Sequence, residues 1–293
     1  MHRVFLITNG YARAMSPSIA VVTDSTAYLG EDETARWGIA VVRLEVVCDG
    51  RTFDDRTPFD AAALADARRV TTSRPAPQRF ADAYGAVAAR GVTGIVSIHL
   101  SGDMSGTVDS ARIAAQDASV PVEVIDSRSI AMGLGFPVLA AVEAAQRGAG
   151  LAEVASAARR RADVTRTFFY VDTLEYLRRG GRIGAVANLF GSALAIKPLM
   201  HLGDGTITVV EKVRTASRAI ARLKDLVIGA AAGEPVDVAV QHLMAPARAE
   251  ALAQSLGARM PKLARMIVSE VGPVLGAHVG PGLLGVTVSP VLE

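Results

Sequence analysis

The stretch GIVSIHL-SGDMSGT-VDSA, residues 94–111, decides how the rest of the chain is read. Gly94 to Leu100 is a short apolar run rich in Ile and Val, which reads as a buried strand. A loop of small hydroxylated residues follows. From Thr107 onward, Val108, Ala111, Ile113 and Ala114 fall on one side and Asp109, Arg112 and Gln116 on another, the pattern of an amphipathic helix. In an open α/β sheet, a strand, a tight loop and a helix N-terminus make an anion site, because unpaired backbone N–H groups and the positive end of the helix dipole face a ligand. Gly102 and Gly106 allow close approach to the backbone. Ser101, Ser105 and Thr107 add hydroxyls that bind a carboxylate or phosphate, or, in the case of Ser105, simply cap the helix.

The same alternation runs through the first half of the chain. Ile19 to Val22 reads as a strand ending in Thr23-Asp24-Ser25-Thr26, Ala40 to Val47 as a strand, and Phe59 to Arg69 as a helix. Val70 to Pro75 is a hydroxyl-rich turn, and Pro75 and Pro77 set the first turn of a helix from Gln78 to Ala89. Val122 to Ile125 is a strand and Ile130 to Arg147 a long helix, so the first half predicts a doubly wound parallel sheet. Beyond residue 165 the pattern changes. Leu199 to Leu202 and Thr206 to Val210, joined by Gly203-Asp204-Gly205, read as a hairpin and hence as antiparallel strands. The expected organisation is an N-terminal extension over residues 1–17, an α/β domain over 18–160 and a second α/β domain with a mixed or antiparallel sheet over 161–293.

Composition narrows the function classes. With 293 residues, 50% hydrophobic, the chain buries a large core, and a formal charge of +2 with interspersed Arg and Asp/Glu leaves no nucleic-acid footprint. Cys48 is the only cysteine, which excludes an internal disulfide and fits a reducing cytoplasm. Ala131 to Ala145 is interrupted by Pro137 and Glu143 and falls short of a membrane span, so the expected location is cytoplasmic. No G-x-G-x-x-G follows the first strand and no G-x-x-x-x-G-K-[ST] occurs, which argues against a nucleotide cofactor. The five histidines are scattered without H-E-x-x-H, so no metal is expected. Ser105 lies in GDMSG rather than G-x-S-x-G, a spacing that argues against a hydrolase nucleophile. His278 sits between glycines in GAHVGPG, either as a functional ring exposed to what lies opposite or as a brace for the turn.

Seven short motifs now fall in order: Thr23 to Thr26 (TDST), Thr71 to Pro75 (TTSRP), Ser101 to Thr107 (SGDMSGT), Leu177 to Ile183 (LRRGGRI), Lys197-Pro198, Lys212 to Thr215 (KVRT) and Gly272-Pro273 to His278. In this series the chain resembles the DegV family, the fatty-acid-binding subunits of bacterial fatty acid kinases, over nearly everything after residue 18. The resemblance implies a ligand tunnel between two α/β halves holding one long-chain fatty acid, whose carboxylate is bound by Thr72 and Ser105. It also implies that Arg214, His278 and Ser101 lie in the head-group region and that Arg214 and His278 assist a separate kinase, which phosphorylates the acid to an acyl-phosphate. No nucleic-acid partner and at most transient contact with a membrane surface are implied. Two departures stand out: Arg74 where the family usually has Gln, and Gly102-Asp103 where it usually has Ser followed by a variable residue. The Asp103 carboxylate would repel a fatty-acid anion and is expected to face solvent. Three readings stay open at this stage: a carrier with no turnover of its own, an acyl hydrolase using Ser105 as nucleophile and His278 as base, and a bare interaction module.

Overall fold

A computed structural model describes residues 3–5, 18–55, 70–182 and 196–292 of the chain. After β1 (Arg3–Phe5) come β2 (Ile19–Asp24), α1 (Glu31–Trp37), β3 (Ala40–Val42), β4 (Glu45–Cys48), β5 (Arg51–Asp54) and β6 (Val70–Ser73). Next are α2 (Pro77–Ala88), β7 (Gly94–His99), α3 (Thr107–Ala115), β8 (Val122–Asp126), α4 (Met132–Gln146) and α5 (Leu151–Val164). The remainder is β9 (Arg166–Tyr170), α6 (Glu175–Arg179), β10 (Lys197–Gly203), β11 (Thr206–Val213), α7 (Ala216–Ala231), β12 (Val236–His242), α8 (Pro246–Gly257), β13 (Leu263–Glu270), α9 (Pro273–Val279) and β14 (Leu284–Pro290). The described residues of Thr8–Glu45 and Ser73–Val164 form one compact unit; those of Met1–Ile7, Val46–Thr72 and Thr165–Glu293 form another.

The first unit is the doubly wound half. Its sheet has the order β3-β2-β7-β8 with every pairing parallel. Every residue of β7 is buried, as the continuous apolar run from Gly94 requires of a strand covered on both faces. Helix α2 starts with Pro77, whose missing N–H is not needed in the first turn, and buries Phe80, Tyr84 and Val87 at helical spacing against Val22, Ile95, Ala111 and Ala114. Each fully buried side chain of this size contributes about 1.5–3 kcal/mol. Helix α4 is apolar apart from Glu143 and Gln146 and is buried along most of its length, from Met132 to Ala145. It is a core helix, and among the described residues no helix is long and apolar enough to cross a membrane.

The second unit holds a seven-stranded mixed sheet, ordered β1-β13-β12-β14-β9-β10-β11, in which only β12 and β13 pair in parallel. Leu223 and Val227 of α7 and Leu252 and Leu256 of α8 pack on Val238, Val240 and Val286. A three-stranded sheet, β5-β4-β6, is separate.

The architecture is the expected α/β class, with corrections in detail. The stretch from Ala40 to Val47 is not one strand: it divides at Arg43-Leu44 into β3, in the parallel sheet, and β4, in the three-stranded one. Thr71 to Ser73 belong to a strand rather than a turn, as the β-branched threonines favour. Arg3–Phe5, within the expected extension, pairs antiparallel with β13. The expected helix from Phe59 to Arg69 lies outside the described residues, as does Ile183.

Candidate functional site

In the first unit the parallel strands end together, and their carboxyl-end loops are tied by one buried carboxylate. Asp24, at the end of β2, is fully buried; its Oδ1 accepts the Thr26 N–H (3.0 Å) and hydroxyl (2.5 Å), while its Oδ2 accepts the Leu100 N–H (3.0 Å) and faces His99 Nδ1 at 3.1 Å. With Nδ1–H donated to the carboxylate, Nε2 of His99 is left to accept the Ser97 hydroxyl at 2.7 Å, and the Ser97 oxygen accepts the Tyr84 hydroxyl at 2.9 Å. Burial pushes the Tyr84 phenol up to about 12, so it stays a donor at any physiological pH. The Asp–His–Ser order is that of a hydrolase triad. Ser97 is fully buried within β7, however, and no substrate reaches it. The chain of bonds is a brace that fixes where the β7 loop begins.

That loop carries two of the expected residues. Ser101 is fully buried; its N–H donates to the Ser129 carbonyl (2.8 Å) and its carbonyl accepts the N–H groups of Met104 and Ser105, both at 3.1 Å. Ser105 is half-buried, and its hydroxyl lies 2.8 Å from that of Thr107. It is not the helix cap: Gly106 holds that position, without a side-chain bond. Asp103 is turned outward, with its side chain 55% exposed and Arg128 at 4.0 Å.

In the second unit the structure brings Thr72 and His278 together, with Thr72 Oγ1 2.9 Å from His278 Nε2, across 206 residues of sequence. Thr72 stands on β6 and His278 in the last turn of α9. The helix is held by Asp55, whose Oδ1 accepts the Val274 N–H at 2.9 Å, an anchor from 219 residues away that no motif announced. Gly180 explains part of LRRGGRI. A Cβ there would lie 2.2 Å from His278 Nδ1, so only glycine leaves room for the imidazole. Nδ1 is buried without a hydrogen-bond partner among the described residues. Lys197, of the Lys-Pro motif, donates to the Asp172 carbonyl at 2.6 Å and ties β10 to the segment before α6.

Burial first, and the nearby Arg182 guanidinium second, depress His278 from 6.5 to about 4, so the ring is neutral at pH 7. The unfolded chain therefore takes up a proton near pH 6.5 that the folded one refuses until about pH 4. Stability is full above that window and falls as pH drops through it; His201 and His242, also depressed by burial, act in the same direction. Lowering the pH from 8 to 5 is expected to remove roughly 2 kcal/mol through His278. Urea melts at the two pH values check this, and a His278→Gln variant with an undiminished pH dependence would contradict it.

Arg214 is exposed, between β11 and the N-cap residue Thr215 of α7, and its side chain has no hydrogen bond or ion pair among the described residues. The nearby Glu211 carboxylate pairs with Arg222 at 2.8 Å. Nε2 of His278 is engaged by Thr72, and Nδ1 faces Gly180. Among the described residues no group of three or more His, Cys, Asp or Glu is arranged to hold a metal.

Known proteins resemble this chain over most of its length. The family model for the DegV family, described as uncharacterised proteins, matches residues 18–291. A DegV domain-containing protein of Streptomyces coelicolor is 55% identical over 279 residues, 94% of this chain and 99% of that one. Among solved structures, a DegV family protein from Thermus thermophilus described by its fatty acid binding superposes with a TM-score of 0.88 at 31% identity, covering 93% of this chain and 99% of that one. DegV from Bacillus subtilis, described as a fatty acid binding protein, superposes with a TM-score of 0.85 at 30% identity, covering 94% and 100%. The order of motifs, the two α/β units and these matches lead to one conclusion: the chain belongs to the DegV family.

Proposed function

We propose that this protein binds one long-chain fatty acid, with the carboxylate held by Thr72 and Ser105, and presents that carboxylate to a separate kinase that converts it to an acyl-phosphate. The observation that carries this reading is the pairing of the Thr72 hydroxyl with a neutral, partly buried His278 in a chain whose fold matches fatty-acid-binding proteins. Burying about sixteen carbons at ~0.8 kcal/mol each supplies on the order of 12 kcal/mol before ordering costs, so the tail can dominate affinity. The carboxylate then needs few strong partners. Hydroxyls and backbone N–H groups suit a carboxylate that must afterwards react.

The transfer itself demands little acid–base chemistry. A carboxylate oxygen forms its bond to the terminal phosphorus of the kinase's nucleotide as the bond to the departing nucleotide breaks, and no proton has to move. A neutral His278 serves as a hydrogen-bonding partner in such a site. Fixed positive charge for the incoming phosphoryl group comes from Arg214, which is exposed and uncommitted among the described residues. Arg214→Ala is accordingly expected to bind oleate within about twofold of wild type, while acyl-phosphate formation with a cognate kinase falls about tenfold or more, as for other lost transition-state charges. Unchanged kinase-coupled phosphorylation would remove Arg214 from this role.

A further inference from the structure

Arg74 is not used by the account so far. It follows Ser73 at the end of β6, and its guanidinium lies across Gly106: a Cβ on Gly106 would sit 2.4 Å from Nη1 and 2.9 Å from Cδ of Arg74. Gly106 separates Ser105 from Thr107, so the positive charge stands one residue from the hydroxyl assigned to the carboxylate. The Arg74 side chain is exposed and has no anionic or hydrogen-bond partner among the described residues. The neighbouring acids are committed elsewhere. Glu45 lines the same cleft of about 300 Å³ but pairs with Arg79 at 2.7 Å. Asp126 accepts the N–H groups of Gly102 (3.1 Å) and Arg128 (2.7 Å), Asp103 faces Arg128, and Asp109 pairs with Arg112 at 3.2 Å.

We propose that Arg74 is a head-group specificity residue, which supplies the positive charge that Ser105 lacks and makes the site select ionised carboxylates over uncharged lipids with the same chain. This rests on the fatty-acid reading above and names the group that enforces it. Thr72 and Ser105 as hydroxyls serve an alcohol or an ester nearly as well as an acid, because a hydroxyl both donates and accepts. A guanidinium has donors only and a permanent charge, so it favours the anion. Because the side chain is solvated, it attracts the carboxylate without clamping it, and its effect is modest and screened by salt.

The test is the affinity of wild type, Arg74→Gln and Arg74→Lys for oleate and for oleyl alcohol at low and high ionic strength. Arg74→Gln is expected to weaken oleate about two- to fivefold at low salt, as for a partly screened charge pair, and to leave oleyl alcohol unchanged. Arg74→Lys should retain most of the oleate affinity, and the gap between wild type and Arg74→Gln should narrow at high salt. Equal loss for oleate and oleyl alcohol would make Arg74 a packing residue, and no loss for either would overturn the inference. Wild type that binds neither ligand overturns the fatty-acid reading and this inference with it, whereas wild type that binds oleate no better than Arg74→Gln overturns this inference alone.

Discussion

Asp24→Ala is expected to lower the free energy of unfolding by about 4 kcal/mol, the cost typical of breaking a buried charged network by deleting one partner. The carboxylate is fully buried and meets Thr26, Leu100 and His99. Its loss would leave the N–H groups of Thr26 and Leu100 and the Nδ1–H of His99 buried without this acceptor. None of the three can turn away, because two are backbone and the third is held at the other ring nitrogen by Ser97 at 2.7 Å. Such a loss is a large part of the stability of an ordinary domain. Urea unfolding followed by circular dichroism measures it, and a change under about 1 kcal/mol would refute the brace, by the scale of ordinary surface substitutions.

The second large effect concerns binding. Thr72→Val combined with Ser105→Ala keeps the side-chain shape at the first position and removes a hydroxyl at each, and is expected to weaken oleate by about 2–5 kcal/mol, or roughly thirtyfold to several thousandfold. The fold should survive. Ser105 caps no helix, since Gly106 occupies the capping position, and Thr72 lies on a short strand with its side chain half-buried. Displacement of a fluorescent fatty acid measures the loss. If the double variant binds like wild type, or unfolds while its folded fraction keeps full affinity, the two hydroxyls are structural and the head group lies elsewhere.

Local patterns were legible in the sequence wherever a periodicity or turn chemistry is short-range. The strand from Gly94, the helix from Thr107 and the hairpin through Gly203-Asp204-Gly205 are all present, with ends shifted by a few residues. The division of the chain into compact units was not legible, because the described residues of Val46–Thr72 join residues beyond 164, and no local signal marks a contact of that range. The candidate site divides in the same way. The small hydroxylated loop from Ser101 to Thr107 declared itself by composition, whereas the Thr72–His278 bond and the Asp55 anchor of α9 are long-range and invisible to spacing. The Asp24–His99–Ser97–Tyr84 brace was also missed. His99 lies inside an apolar run, and a period-two pattern of Ser97 and His99 on a wholly buried strand was the one available hint of paired polar side chains there.

Native mass spectrometry of the protein purified from a bacterial host, followed by solvent extraction, tests the central claim most directly. The account predicts a long-chain fatty acid at about one per chain, as an enclosed apolar site retains its ligand through purification. Protein that carries no lipid and gains none on addition of oleate or palmitate would contradict it.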